Sequence, residues 1–179
     1  MSDPIPATRV AHLVDPHGVE ILDVLGPTIQ VLTEPGADDG SPCVMRGTIP
    51  PGVAVPLHSH PDPETFILLS GDAKGLAESD GDLGWARIEP GGIFHVPSGA
   101  KHAWRNQSRQ PAVMIVVSTA KMGRFFREIG TPVALERQPS GPPSADRIRH
   151  LLEITESYGY WIGTSDENTR VGLVLPSAP

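Results

Sequence analysis

The sequence contains little of what several large functional classes require. Cys43 is its one cysteine, so an intramolecular disulfide is excluded. Lysine and arginine form no cluster and the formal net charge is -7, so nothing supplies the basic surface that nucleic acid or an anionic membrane requires. The longest uninterrupted apolar run, residues 112–117, is too short to span a bilayer. We therefore expect neither nucleic acid nor a membrane as a partner.

Several catalytic and targeting motifs are also missing from the sequence. Residues 1–6 contain no basic region followed by an apolar stretch, and together with the lone cysteine this predicts a cytoplasmic protein. There is no Gly-x-Ser-x-Gly elbow, no phosphate-binding glycine-rich loop and no dinucleotide-binding fingerprint. Serine hydrolysis, nucleotide hydrolysis and NAD chemistry therefore lack sequence support.

Proline and glycine, by contrast, are abundant, with 20 and 19 residues spread between short apolar and β-branched runs. This composition favours many short strands joined by turns, as in a sandwich or barrel. At 179 residues the chain is long enough for one domain with a sizeable core. We predict a single domain over residues 1–179, with an N-terminal extension, an all-β core over about residues 26–119 and a tail over residues 120–179. The predicted strands are residues 28–32, 43–49, 53–60, 64–69, 74–78, 83–88, 93–96, 100–106 and 113–118.

The tail carries signals for two α-helices. Residues 120–129 place Phe125, Phe126 and Ile129 on one helical side, and Gly130 is a natural stop. Residues 144–158 follow a pair of prolines and begin at Ser144, which is a good N-cap. The intervening residues 131–143 are predicted to be a linker.

Two histidine-containing segments lie between residues 52 and 106. His58 and His60 are two residues apart, so in a strand both side chains point to one face. The prolines of the turn at residues 61–63 bring Glu64 back at the start of the next strand. A turn signal at residues 97–100 delivers His102 from elsewhere in the fold. The pattern therefore predicts a single metal site built from these imidazoles and the carboxylate.

These segments resemble the two sequence motifs of the cupin superfamily, and every fixed position of both motifs is matched. The string at residues 60–66 and the helical tail are similar to those of small single-domain cupins of the bacterial quercetin 2,3-dioxygenase type. The resemblance implies a jelly-roll β-barrel, a metal ion held inside it by His58, His60, Glu64 and His102, and a homodimer. It also implies that the matched glycines and proline form barrel corners. The matched positions are Gly52, His58, His60, Glu64, Gly71, Gly91, Pro97, Gly99, His102 and Asn106.

The ligand set leaves about two of the six positions of an octahedral ion open, which favours catalysis over a purely structural metal. The ion is a divalent one, for which Fe(II), Mn(II), Ni(II), Co(II) and Zn(II) are all candidates. Glu64 is either a ligand alone or also the base that accepts a proton from a substrate hydroxyl. Phe66 and Trp104 point inward by strand alternation, either as walls of a pocket for a flat aromatic substrate or as core filler.

The leading interpretation is a mononuclear metal-dependent dioxygenase that acts with O2 on a small hydroxylated aromatic or enol substrate. A non-oxidative isomerase, lyase or polyketide cyclase would use the same ion to stabilise an enolate. A protein that binds a small ligand without turnover is the third alternative. The ligand set does not separate these classes. The remaining histidines are expected to be exposed or ordinarily hydrogen-bonded: His12, His17, His95 and His150.

Overall fold

The computed structural model describes residues 11–79, 81–133 and 143–174. The first ten residues of the predicted N-terminal extension, and residues 134–142 of the predicted linker, lie outside the described residues. The strands are β1 (Ile21–Asp23), β2 (Thr28–Val31), β3 (Pro42–Ile49), β4 (Ala54–Ser59), β5 (Glu64–Ser70), β6 (Ala73–Ser79), β7 (Asp82–Ile88), β8 (Ile93–Val96), β9 (His102–Arg105), β10 (Ala112–Thr119), β11 (Thr131–Val133) and β12 (Trp161–Ile162). The helices are α1 (Ala120–Ile129), α2 (Ala145–Ser157) and α3 (Ser165–Arg170).

The strands form two antiparallel sheets that pack face to face as a jelly roll. The larger sheet has seven strands in the order β11-β1-β2-β3-β10-β5-β8, and the smaller has five in the order β12-β4-β9-β6-β7. Every strand predicted from residue 28 to residue 118 is present, with ends shifted by two residues at most. The predicted all-β jelly-roll class is confirmed.

Strand alternation decides which side chains build the core. Along β10, Ala112, Met114, Val116 and Ser118 are buried while their neighbours are partly exposed. The same alternation runs along β3, its neighbour in the larger sheet, so the buried side chains of the two strands lie side by side on one face of that sheet. The aromatic part of this core consists of Phe66, Phe94, Trp104, Phe125 and Tyr160.

Tight corners connect the strands, and Gly71 shows why one of them requires glycine. Its φ is +80°, and a Cβ there would lie 2.2 Å from the carbonyl oxygen of Pro111. A side chain is therefore excluded both by backbone conformation and by the approach of another loop. The other predicted corner glycines also have positive φ: Gly52, Gly91 and Gly99.

Both predicted helices are confirmed. The Thr119 hydroxyl caps α1 by accepting from the Met122 amide at 3.2 Å, and Ser144 caps α2. The linker prediction is wrong at its start, because Thr131–Val133 pairs antiparallel with β1. A strand of three residues that contains a proline shows no alternation from which it could be recognised. None of the helices in the described part of the chain is long and apolar enough to cross a membrane.

The C-terminal segment after α2 lies against the outer face of the five-stranded sheet. Leu57, Leu76 and Ala103 on that face pack against Leu173. Asn168 of α3 is fully buried, and its side-chain oxygen accepts from the Leu57 amide at 2.8 Å. The sequence predicted a helical tail over residues 120–179 but neither β12 nor α3 within it, and this segment fixes β4, the strand that carries the first predicted ligand.

Candidate metal centre

The four predicted ligands come together between the two sheets. His58 lies in β4 and is the strand partner of His102 in β9, so both belong to the smaller sheet. Glu64 opens β5 in the larger sheet, opposite Val96 of β8. The turn after His60 is held against the second motif by a bond of 2.8 Å from the Gly99 amide to the His60 carbonyl. Ligands from both sheets therefore converge at one end of the barrel core.

The separations of the ligand atoms match those around a single ion. The atoms that His58, His60, Glu64 and His102 offer all lie within 4.8 Å of one another. The Nε2 atoms of His60 and His102 each lie 3.2 Å from Oε2 of Glu64. Ligands at about 2.1 Å from one ion stand about 3.0 Å apart in neighbouring positions and about 4.2 Å apart in opposite ones. The 3.2 Å separations exceed the neighbouring distance by about 0.2 Å and the 4.8 Å limit exceeds the opposite distance by about 0.6 Å, so a small contraction would fit the cluster to one ion.

Backbone carbonyls fix the orientation of all three imidazoles. Nδ1 of His58 lies 2.7 Å from the Pro56 carbonyl, Nδ1 of His60 lies 2.7 Å from the Asp62 carbonyl, and Nδ1 of His102 lies 3.0 Å from the Ala100 carbonyl. A carbonyl only accepts hydrogen bonds, so each Nδ1 carries the proton and donates it. In the neutral imidazoles this leaves the Nε2 lone pairs directed at the site, as in histidines that bind metals.

In this tautomer the Nε2 lone pairs of His60 and His102 face Oε2 of Glu64, and lone pairs repel a carboxylate oxygen. A proton or a cation between them would remove this repulsion. His60 Nε2 is buried and has no hydrogen-bond partner among the described residues. A buried polar atom without a partner is costly, by about 1–3 kcal/mol. A divalent ion between the Nε2 atoms and Glu64 would satisfy all of them together, so the residues present fit such an ion.

In the ion-free cluster, a proton takes the place that an ion would fill between the imidazoles and the Glu64 carboxylate. Burial alone would raise the pKa of Glu64, but its contacts with His102 and His60 outweigh it and lower the pKa from 4.5 to about 2. Burial, together with the neighbouring imidazoles, lowers the pKa of His58 well below its ordinary value. For His60, burial is outweighed by the adjacent Glu64 carboxylate, so its pKa is raised. Glu64 is therefore ionised at neutral pH and is a weak proton acceptor while both histidines hold it.

Access to the cluster differs between its members. Glu64, His60 and His102 are 3%, 5% and 1% exposed, while His58 is partly exposed. His58 is thus the most exposed of the four as a whole residue, although its imidazole is buried enough for burial to lower its pKa.

Phe66 follows Glu64 by two residues in β5, and Trp104 follows His102 by two residues in β9, so each points to the same face of its sheet as the ligand before it. Their ring centroids are 4.6 Å apart, and Phe94 packs against Trp104 at 5.0 Å. All three belong to the main core, and the indole N–H of Trp104 is buried without a partner among the described residues. The packing explains the residues as core, while the unpaired N–H is compatible with a surface that meets substrate.

Sequence reasoning missed a second layer of residues around the site. Asp62, 6% exposed, accepts hydrogen bonds from the hydroxyl of Tyr160 at 2.6 Å and from the hydroxyl of Thr119. The ring of Tyr160 lies 5.2 Å from that of His60. Burial, followed by the bond to Asp62, raises the pKa of the Tyr160 hydroxyl far above its ordinary value. A polar residue between two ligand positions was the available signal for Asp62, whereas nothing local marks Tyr160.

Two of the remaining histidines make exposed hydrogen bonds away from the cluster. His95 Nδ1 bonds the Thr65 hydroxyl at 2.9 Å, and His150 Nε2 bonds the Glu128 carbonyl at 2.9 Å. His17 is exposed, with its amide bonded to Asp15. These positions agree with the expected ordinary roles.

Comparison with known proteins identifies the same region. A family model described as Cupin domain matches residues 45–118, a stretch that contains all four candidate ligands. No curated protein matches the chain. An oxalate decarboxylase from Bacillus subtilis matches at 24% identity and a TM-score of 0.46, over 55% of this chain, which spans only 26% of that longer protein.

Two solved structures share more of the fold. The polyketide cyclase RemF from Streptomyces resistomycificus matches with a TM-score of 0.54 and 16% identity, over 81% of this chain and 99% of its own. A sugar phosphate isomerase of a cupin superfamily from Silicibacter pomeroyi matches with a TM-score of 0.52 and 20% identity, over 60% of this chain and 75% of its own. At such identities the likeness concerns the fold. This chain is therefore similar to cupin proteins in sequence over residues 45–118 and in its jelly-roll fold.

Proposed function

We propose that this protein is an enzyme that binds one divalent metal ion through His58, His60, Glu64 and His102 and acts on a small substrate that chelates through oxygen. One observation carries the proposal: three imidazoles, each oriented by a backbone carbonyl, place their ligand atoms within 4.8 Å of one another and of one buried carboxylate. Four protein ligands leave about two positions of an octahedral ion open to a substrate, which favours catalysis over a purely structural metal.

When bound, the ion would supply Lewis-acid polarisation of a substrate oxygen and, if it is redox-active, electrons for chemistry with O2. The protein residues have separate tasks. The carbonyls of Pro56, Asp62 and Ala100 hold the imidazoles in the ligating tautomer. Glu64 balances positive charge, and in the metal-free cluster its contacts with His102 and His60 lower its pKa to about 2.

The proposed reaction is dioxygenation of a hydroxylated aromatic or enol substrate, of the quercetinase type. Such a substrate is flat and apolar except at its chelating oxygens, which suits a site bordered by Phe66 and Trp104. The indole N–H of Trp104, buried and unpaired among the described residues, is a donor available to a substrate oxygen. Both aromatic residues would exclude water from the reacting centre.

A non-oxidative reaction is the second candidate, with an isomerase, lyase or polyketide cyclase as its forms. The fold shared with a polyketide cyclase extends over 81% of the chain and so includes residues beyond the family match. In this case the ion held by the same ligands would stabilise an enolate without consuming O2. A third candidate, binding of a small ligand without turnover, needs no proton acceptor at all.

Oxygen uptake separates these candidates. Metal-free protein is reconstituted with Fe(II), Mn(II), Ni(II), Co(II) or Zn(II) and offered flavonols, catechols and enolised diketones. We expect uptake with at least one ion and substrate, and none with the His60→Ala variant. The His150→Ala variant should retain it. Uptake that is absent from every combination, with the ion demonstrably bound, contradicts the dioxygenase and leaves the non-oxidative class to be tested by product analysis.

We also propose that the protein acts as a homodimer, because closed two-fold dimers are the commonest soluble oligomers. Light scattering should give twice the mass of the 19.1 kDa chain. A monomer that persists at high concentration would contradict the proposal.

A further inference from the structure

The turn between the ligands His60 and Glu64 is held by residues from distant parts of the chain. The Pro63 carbonyl accepts from the Ser118 hydroxyl at 2.9 Å, and the Asp62 carboxylate accepts from the hydroxyls of Tyr160 and Thr119. Asp62 also gives its carbonyl oxygen to Nδ1 of His60 at 2.7 Å. One residue thus orients a ligand through its backbone and is itself anchored through its side chain.

We infer that Asp62 and Tyr160 are positioning residues, which hold the His60 imidazole in its ligating orientation and so make metal affinity depend on the docking of the C-terminal segment. This inference rests on the proposed metal site and goes beyond it by assigning a role to residues that do not touch the ion.

The geometry leaves Asp62 little freedom. A carboxylate that is 6% exposed must have its charge compensated by donors, and the two hydroxyls supply them on separate oxygens, Oδ1 and Oδ2. With both oxygens fixed, the side chain restrains the peptide plane that carries the carbonyl bonded to His60. Loss of one donor allows the plane to rotate and the imidazole with it.

The same C-terminal segment also contacts the other ligand strand. Immediately after Tyr160, Trp161 pairs with Ser59 and Ile162 pairs with His58 in β4. Tyr160 itself packs in an aromatic cluster with Phe125 and Tyr158, at centroid distances of 4.8 and 5.6 Å. The segment therefore restrains both histidines of the first motif. It pairs with His58 through the sheet and contacts His60 through Asp62.

The Tyr160→Phe variant tests the inference, because it removes one hydroxyl and keeps the ring in the cluster. Tyr158→Phe is the matched control, since it removes a hydroxyl from the same cluster that bonds the exposed Glu128. The probe is Co(II), titrated into metal-free protein against a chromophoric chelator. We expect the Kd to rise about tenfold in Tyr160→Phe, the lower end of the effect of residues that orient ligands, and by less than twofold in the control.

Two further readouts separate positioning from general stability. The visible spectrum of bound Co(II) should change in Tyr160→Phe and stay unchanged in Tyr158→Phe, because only the former alters ligand geometry. Asp62→Asn keeps the carbonyl but weakens its anchor, and its effect on Kd should be strongly non-additive with that of Tyr160→Phe, since both act through one chain of contacts.

A wild-type Kd and an unchanged Co(II) spectrum in Tyr160→Phe would overturn the inference and leave the metal site intact. An equal loss of affinity in Tyr158→Phe would also overturn it, since the effect would then follow the stability of the cluster. If wild-type protein bound no Co(II), the proposed metal function would fail as well. None of these outcomes depends on finding a substrate.

Discussion

Stabilisation by metal is predicted to disappear when His60 or His102 is replaced by alanine. Both imidazoles are almost fully buried, and each offers an Nε2 atom 3.2 Å from Glu64. An ion that binds only the folded state at a free concentration of about 100 Kd stabilises it by about 2.7 kcal/mol. Because about 1 kcal/mol shifts Tm by roughly 2–4 °C in a chain of this size, the wild-type Tm should rise by about 5–11 °C.

Each alanine variant lacks one donor of the four. If affinity falls about 100-fold at the same free metal, the remaining stabilisation is about 0.4 kcal/mol, which moves Tm by only about 1 °C. The assay is differential scanning calorimetry of chelator-stripped protein with and without Co(II) or Zn(II). The metal-dependent shift is taken within each variant, so that the loss of the packed imidazole cancels.

The controls are His95→Ala and His150→Ala, which remove exposed imidazoles bonded to Thr65 and to the Glu128 carbonyl. Both controls should retain the full metal-dependent rise in Tm. A rise of wild-type size in His60→Ala or His102→Ala would refute the assignment of these residues as ligands, as would its loss in either control.

Three other predictions follow from single residues. The pKa of Glu64 is lowered from 4.5 to about 2 in the folded protein, so the stabilisation that it contributes is present above pH 4.5 and is lost as pH falls towards 2. In urea unfolding, the metal-free wild type should therefore lose about 2 kcal/mol more stability than Glu64→Gln between pH 5 and pH 3. Equal losses in the two proteins would contradict the lowered pKa. Gly71→Ala should destabilise the fold by about 3 kcal/mol or more, because a left-handed backbone costs about 1–2 kcal/mol and the new Cβ would also clash with the Pro111 carbonyl. Gly52 has the same sign of φ but open space around it, so Gly52→Ala should cost only about 1–2 kcal/mol. Similar urea midpoints for the two variants would exclude the steric argument. Cys43 is 0% exposed and burial raises the pKa of its thiol, so iodoacetamide should label it only when the fold opens. Metal at a free concentration of about 100 Kd should slow this labelling about 100-fold. A labelling rate that does not change with metal would show that opening at Cys43 does not release the ion.

Much of the barrel could be predicted because its signals are local. β8 and α1 were placed at their observed ends, since alternation, an apolar helical side and Gly130 are all visible in short windows. β11 and β12 were missed because they are short and depend on partners far away, such as the pairing of Ile21 with Val133. A few residues without periodicity become strands only when a sheet edge is already there.

The candidate site divides in the same way. Strand alternation and two turns were sufficient to predict that His58, His60, Glu64 and His102 converge, and the structure brings them together. The carbonyls that orient the imidazoles carry no sequence signal, because every residue has one. Tyr160 reaches Asp62 across 98 positions, so its role depends on the path of the tail.

The hydrogen bond between Asn168 and Leu57 of β4 has a consequence for folding during synthesis. The Leu57 amide donates to Asn168, which lies 111 positions later in the chain, and the Leu57 carbonyl accepts from the Gly163 amide at 2.7 Å. During synthesis, which proceeds from the N-terminus, β4 is therefore an open edge until residues 161–168 have left the ribosome. An open edge is a template for pairing with another chain, and here it holds His58. Chains that end before Gly163 would contain all four candidate ligands but would leave the β4 edge beside His58 unpaired, so the docking of residues 161–168 protects that edge.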